Sequence, residues 1–207
     1  MPGPERALFV YVPERRTPFA EPVRRHQLDL MHSALRPVGW HTREAAFDPD
    51  RIVDVLNRER PDIVFDLAYG WTDGDGLTLL QPEIAAILGD HAALVGSGPE
   101  VQQLCQDKRA TAAAASELGV PVPAELDPIR LRTEPVVVKP RYGAAHRDVR
   151  VVEVGAELAA GPDEIVQEYV DGPEFTIAVL ERGAGPEPLP AARVRFGREA
   201  VRPRLYD

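Results

Sequence analysis

Val136-Val137-Val138-Lys139-Pro140 is an apolar, β-branched run that ends in one charge. Three consecutive valines suit a strand buried on both faces, and the lysine at its end delivers a single ammonium to the rim of a sheet. Working outward, Tyr142-Gly143-Ala144-Ala145 is a small-residue turn leading to a second strand, Val149 to Val154. Ile165-Val166-Gln167-Glu168-Tyr169-Val170-Asp171-Gly172-Pro173-Glu174-Phe175-Thr176 then reads as strand, tight turn and strand. Upstream, Gln106-Asp107-Lys108 opens an alanine-rich helix, Arg109 to Leu118, which sets the Lys108 ammonium near a positive helix end. Of 24 basic residues only Lys108 and Lys139 are lysine, the other 22 being arginine, and each lysine falls where a nucleotide phosphate can be held.

The first hundred residues alternate between the two periods. Ala7 to Val12 is an apolar run stopped by Pro13; Pro22 to Leu35 spaces Val23, Leu28, Met31 and Leu35 on one helical face. A strand near Trp40 to Phe47, a helix from Pro49 to Arg58 and a strand from Ile63 to Ala68 repeat the unit, followed by a helix from Pro82 to Leu88 and the short run Ala93 to Val95. Such alternation predicts a parallel sheet covered by helices. A boundary falls near Gly98-Pro99-Glu100, after which one helix is followed by a series of strands. The Gly- and Pro-rich stretch Arg182 to Pro190 reads as a surface loop between two of them, Phe175 to Leu180 and Ala191 to Phe196.

Composition narrows the partners. A chain of 207 residues with 44% hydrophobic content can bury a sizeable core, and a net charge of −9 argues against nucleic acid and anionic membranes as partners. The single Cys105 cannot close an internal disulfide, and neither a signal-peptide core nor a membrane-spanning run is present, so a cytoplasmic location is the expectation. His26, His32, His41, His91 and His146 show no metal-ligand spacing, and there is no Walker loop, Gly-x-Gly-x-x-Gly or Ser-His-Asp order.

From about Asp62 onward the chain resembles the ATP-grasp superfamily, and within it the D-alanine–D-alanine ligase-like branch. The resemblance rests on Asp62 to Gly70, Gly74-Asp75-Gly76 with Gln81, Val95-Gly96-Ser97-Gly98, Asp107-Lys108, Gly119-Val120-Pro121-Val122-Pro123, Val138-Lys139-Pro140 and Gly172-Pro173-Glu174-Phe175-Thr176 in that order. It implies an α/β chain: a Rossmann-like parallel-sheet domain over 1–100, the small lobe of an ATP-grasp fold over 101–180, and the start of a truncated large lobe over 181–207. Such ligases phosphorylate a carboxylate with ATP and let an amine displace the phosphate, so charge neutralisation and positioning dominate the chemistry. By resemblance Lys108 and Lys139 contact the α- and β-phosphates, Gly143 supplies the flexible turn over them, the backbone of Glu168 and Val170 pairs with the adenine edge, and Glu174 takes the ribose hydroxyls. Gln167 stands where an acidic residue commonly fixes the adenine amino group; its amide oxygen can accept the same bond. Tyr69, in place of a histidine, and Gly70 lie on the substrate side.

The departures set the remaining expectations. Ala144 and Ala145 offer no hydroxyl where related loops carry serine, leaving Arg141, His146 or Arg147 as donors, and Glu14 and Glu21 match a substrate-binding glutamate only by position. The branch holds magnesium with an acidic pair and an asparagine from the large lobe, whereas Asn57 is the one asparagine in this chain. The resemblance therefore implies the ATP-binding part of a carboxylate–amine ligase, inactive alone and completed, with magnesium, only if a partner supplies the missing lobe. The substrate is a small amino or carboxylic acid. The alternative is a degenerate, non-catalytic nucleotide- or metabolite-binding module or partner subunit.

Overall fold

An apolar run too uniform to leave a solvated face, Ala7 to Val12, lies at the centre of the first part of the chain. The computed structural model describes residues 5–17, 25–127, 133–142, 148–183 and 185–195. It divides into two units, Met1–Leu118 with Tyr142–Ala145, and Gly119–Arg141 with His146–Asp207.

In the first unit, β1 (Arg6–Tyr11), β2 (His41–Ala46), β3 (Ile63–Leu67) and β6 (Ala93–Val95) form one parallel sheet in the order β2-β1-β3-β6. The connections contain α1 (Arg25–Leu35), α2 (Ile52–Glu59), the antiparallel hairpin β4 (Gly70–Thr72) and β5 (Thr78–Leu80), and α3 (Gln81–Gly89). Parallel strands require such crossovers, which is why helices cover the sheet. Central β1 is buried on both faces. Leu8 and Val10 pack with Phe47, Ile52, Leu56, Ile84 and Leu88, while Phe9 meets the edges of His32 at 4.8 Å and Phe65 at 5.2 Å. Among the described residues, the expected strands and helices of the first hundred positions are present to within a few residues, and the hairpin β4–β5 is an addition.

Two helices, α4 (Pro99–Gln106) and α5 (Lys108–Glu117), come next. The sequence boundary at Gly98-Pro99-Glu100 is not where contacts divide the chain: α4 packs on α3 and α5 on α4, so both helices stay with the first unit and the division falls after Leu118. Proline and glycine mark a local break, but tertiary contacts decide what a helix belongs to.

The second unit is built on β7 (Val136–Pro140), flanked by β8 (Arg150–Val152) and β9 (Glu164–Glu168), all antiparallel. Past the far edge of β9 the chain near Glu125 adds a further line of pairing: Leu126 N–H donates to Val166 O at 2.8 Å and Glu168 N–H to Ala124 O at 3.0 Å. Val136, Val138 and Val166 pack with Leu126, Val152 and Leu158 on one face. Two short pairs complete the described chain, β10 (Phe175–Thr176) with β13 (Ala192–Arg193), and β11 (Val179–Arg182) with β12 (Gly185–Pro188). The stretch Arg182 to Pro190 is thus largely strand rather than loop, held by four registered pairs from Val179↔Pro188 to Arg182↔Gly185 and by the Arg182–Glu187 ion pair at 3.0 Å.

Candidate functional site

The register of β7 on β9 sorts the second unit's candidate residues onto faces. Val137 stands opposite Gln167 and Lys139 opposite Ile165, so Lys139 and Gln167 share one face, one diagonal step apart, opposite to the face with the valine cluster. Lys139 is half-buried, and burial alone pulls its ammonium below the ordinary lysine range; among the described residues no carboxylate pairs with it. A desolvated cation of that kind attracts an anion.

Gln167 is 6% exposed. Its Nε2 reaches Pro123 O at 3.4 Å, an orientation that leaves Oε1 as the acceptor. Glu168 is exposed, and because its N–H is given to Ala124 O, the group it retains for an adenine edge is its carbonyl. Val170 and Glu174 are exposed in the turn after β9, with Glu174 O accepting from Val194 N–H at 2.9 Å. Gly143, with Ala144, Ala145, His146 and Arg147, lies outside the described residues.

An ion pair steadies this sheet on its other face. Arg150 of β8 reaches across β7 to Glu164 of β9 through both terminal guanidinium nitrogens, the Nη2 bond measuring 2.9 Å, and Glu164 also accepts from Gly161 N–H at 2.7 Å. Arg150 foremost, then the Gly161 N–H, holds the Glu164 carboxyl down to about 2. Spacing gave no hint of this pair, since its partners are distant in sequence and meet only through the register.

Lys108, in the first unit, is half-buried at the first position of α5. The helix end beside it is already satisfied: the Asp107 carboxylate accepts from Arg109 N–H at 3.0 Å and Ala110 N–H at 3.3 Å. Those two donors are therefore committed to Asp107, and what Lys108 offers a phosphate is its side chain.

The substrate-side candidates sit where β3 passes into β4. Tyr69 is 47% exposed and Gly70 is buried, paired with Leu80. The loop beyond is fixed by Asp73, whose Oδ1 accepts from the N–H groups of Asp75, Gly76 and Leu77 at 2.8, 3.1 and 3.0 Å. Gly74 at φ +89 and Gly76 at φ +130 supply the left-handed conformations that let one carboxylate collect those donors. Arg16 lies 5.7 Å from the Trp71 ring centre and donates to Thr72 O and Asp73 O, pinning the segment after β1 to this hairpin. Neither Asp73 nor Arg16 stood out as a site residue in the sequence, although Gly74-Asp75-Gly76 marked the loop. Glu14 is exposed in the same segment as Arg16, and Glu21 lies outside the described residues.

Among the described residues no group of three His, Cys, Asp or Glu side chains can hold a metal ion. Among those residues, too, no helix is long and apolar enough to cross a membrane.

The ATP-grasp domain family matches residues 105–202. A D-alanine–D-alanine ligase of Alcanivorax borkumensis is 32% identical over 179 residues, an alignment covering 80% of this chain and 53% of that protein. The chain spans about half the length of the curated relatives it matches. D-alanyl-alanine synthetase A of Vibrio cholerae superposes with a TM-score of 0.64 at 11% identity, covering 96% of this chain and 69% of that one. The biotin carboxylase domain of Hydrogenobacter thermophilus 2-oxoglutarate carboxylase, crystallised with MgADP and bicarbonate, gives 0.56 at 16%, covering 84% and 46%. At those identities the two structures speak for the fold.

Proposed function

We infer, from a chain that is of ATP-grasp lineage in the D-alanine–D-alanine ligase-like branch, that the face of the β7–β9 sheet bearing Lys139 and Gln167 holds an adenine nucleotide. The observation that carries the reading is the Lys139 ammonium, half-buried without a carboxylate partner among the described residues and placed beside a buried amide whose oxygen is the remaining acceptor. Lys139 and Lys108 neutralise the phosphates. Gln167 Oε1 and the Glu168 carbonyl accept from the adenine amino group, Val170 N–H donates to the ring, and Glu174 takes the ribose.

In the reaction of this lineage ATP supplies the phosphoryl group that activates a carboxylate toward an amine. The residues of this chain contribute by binding and orienting the nucleotide, while Tyr69 and Gly70 face a small amino or carboxylic acid. Magnesium belongs to the lineage's nucleotide chemistry, but with Asn57 the only asparagine and no acidic cluster among the described residues, those residues do not fit the ion's ligand set. The 207 residues accordingly bind ATP without turning it over, and the metal ligands come from outside them.

Isothermal calorimetry tests the reading. ATP and ADP should bind more tightly than AMP, and Lys139→Ala should weaken ATP by about tenfold, or ~1.4 kcal/mol, with Arg182→Ala as an unaffected control. Equal ATP affinities for wild type and Lys139→Ala remove the nucleotide role. Steady phosphate release from repurified protein with magnesium, ATP and D-alanine leaves nucleotide binding intact and overturns the claim that the 207 residues are inactive alone.

A further inference from the structure

The strand order of the first unit, β2-β1-β3-β6, reverses between β1 and β3: the chain steps from β1 to one side and returns on the other. Open parallel sheets bind ligands outside the carboxyl ends of the strands at such a reversal. Here β1 and β3 end in register, Tyr11 opposite Leu67, so the segments Val12 to Thr17 and Ala68 to Asp73 leave the sheet as neighbours. One side chain joins them. Arg16 closes the single 3-10 turn Glu14–Arg16, and its guanidinium lies 5.7 Å from the ring centre of Trp71, itself 6% exposed. Nη1 is engaged, donating to Thr72 O at 3.4 Å and to Asp73 O. Nε and Nη2 have no partner among the described residues.

We propose that Arg16 binds the carboxylate of a small-acid ligand at this reversal, through Nε and Nη2. The assignment rests on the reading in which Tyr69 and Gly70 face a small amino or carboxylic acid, and it narrows that reading: the acid group is what this end of the sheet recognises, and an ammonium on the ligand is not required.

The surroundings leave room for an anion and supply none. Arg16 is half-buried, and no carboxylate among the described residues pairs with it. Asp73, the acid nearest in the hairpin, has Oδ1 taken by the N–H groups of Asp75, Gly76 and Leu77. Two carbonyl oxygens and a ring face offset part of a positive charge withdrawn from water. A carboxylate offsets it in full, because the edge of a guanidinium that carries Nε and Nη2 matches two carboxylate oxygens through parallel bonds. The contacts of Nη1 and the Trp71 ring fix the plane of that edge before any ligand arrives, which lowers the ordering cost of binding. A residue kept only to pin the segment after β1 to the hairpin would need Nη1 and the ring, and nothing from the other two nitrogens.

The test follows the Trp71 indole N–H in nitrogen-15 spectra of the 207-residue chain, assigned by its persistence in Trp40→Phe, since Trp40 is the other tryptophan. D-lactate and D-alanine should each shift that resonance saturably, whereas D-alaninamide, which keeps the ammonium and lacks the carboxylate, should not. Arg16→Gln should weaken D-lactate binding by about tenfold or more, and Arg16→Lys, which keeps the charge without the paired donors, by less. Acids that bind wild type and Arg16→Gln alike overturn the role of Arg16 and leave the small-acid reading standing. Acids that do not bind wild type at all overturn both. Shifts from D-alaninamide equal to those from D-alanine, or shifts from inorganic phosphate and from neither acid, also overturn the proposal. If Arg16→Gln does not fold, the comparison of acid with amide in the wild-type chain decides alone.

Discussion

The two units bury their strands differently. In the parallel sheet β1 is closed on both sides, Leu8 and Val10 against one helical layer and Phe9 against the other. In the antiparallel sheet, one face of β7 and β9 carries a valine cluster, and the other carries Lys139 and Gln167, a cation and an amide withdrawn from water. The first arrangement maximises apolar burial. The second gives up part of it to hold the Lys139 ammonium, which no described carboxylate neutralises, as the proposed nucleotide face requires. On the proposed reading, stability and nucleotide binding are drawn from different sheets.

The largest expected effect breaks the comparison from the stability side. Phe9→Ala removes a fully buried ring between His32 and Phe65 and should destabilise the first unit by roughly 3–5 kcal/mol, measured by denaturant unfolding of the intact chain. A cost under about 1 kcal/mol would mean that the parallel sheet is not the tighter of the two.

Next in size is a gain. Because burial already disfavours the Lys139 ammonium, Lys139→Met should stabilise the second unit by about 1 kcal/mol while weakening ATP binding about tenfold. The opposite signs are the point: a lysine kept for structure would lose stability on replacement. For the same reason the wild-type chain should gain stability as alkaline pH approaches the ordinary lysine value of 10.5, and Lys139→Met should not.

Acid sharpens the contrast from the other face. The Glu164 carboxyl sits at about 2 when folded against an ordinary 4.5, so its contribution is present above 4.5 and is lost as pH falls through about 2. The pair is partly open to water, with Arg150 41% exposed, and solvent screening limits it to about 1 kcal/mol or less. Acid titration of Glu164→Gln should lack that fall.

Which features were legible in the sequence depends on the range of the forces involved. Ala7 to Val12, Ile63 to Phe65 and Val136 to Val138 are legible because burial leaves an unbroken apolar run. The hairpin β11–β12 was not, because Gly185-Pro186-Glu187-Pro188 has no β-forming pattern and is held by pairing and by Arg182–Glu187. The placement of Lys139 and Gln167 on one face needed the register. Asp107 was legible as half of a motif, but its capping of α5, which removes the helix end as a phosphate donor set, depends on a backbone angle that no residue pattern prints.

The smallest effect on stability lies at the strands after Glu174, where the second unit ends its apolar burial. Phe175, Ile177, Val179 and Leu180 are all exposed, Phe175 at 55%. Phe175→Ser should therefore change unfolding free energy by no more than about 0.5 kcal/mol. It should nonetheless change behaviour in solution, because adjacent exposed apolar side chains on short strands, β10 and β11, offer both a greasy patch and edges for pairing. The wild-type chain is expected to self-associate with rising concentration in light scattering or sedimentation, and Phe175→Ser with Val179→Ser to reduce that association without altering ATP affinity. A wild-type chain that stays monomeric throughout would show that these side chains are covered in solution, and would place the second unit's open face at Lys139 alone.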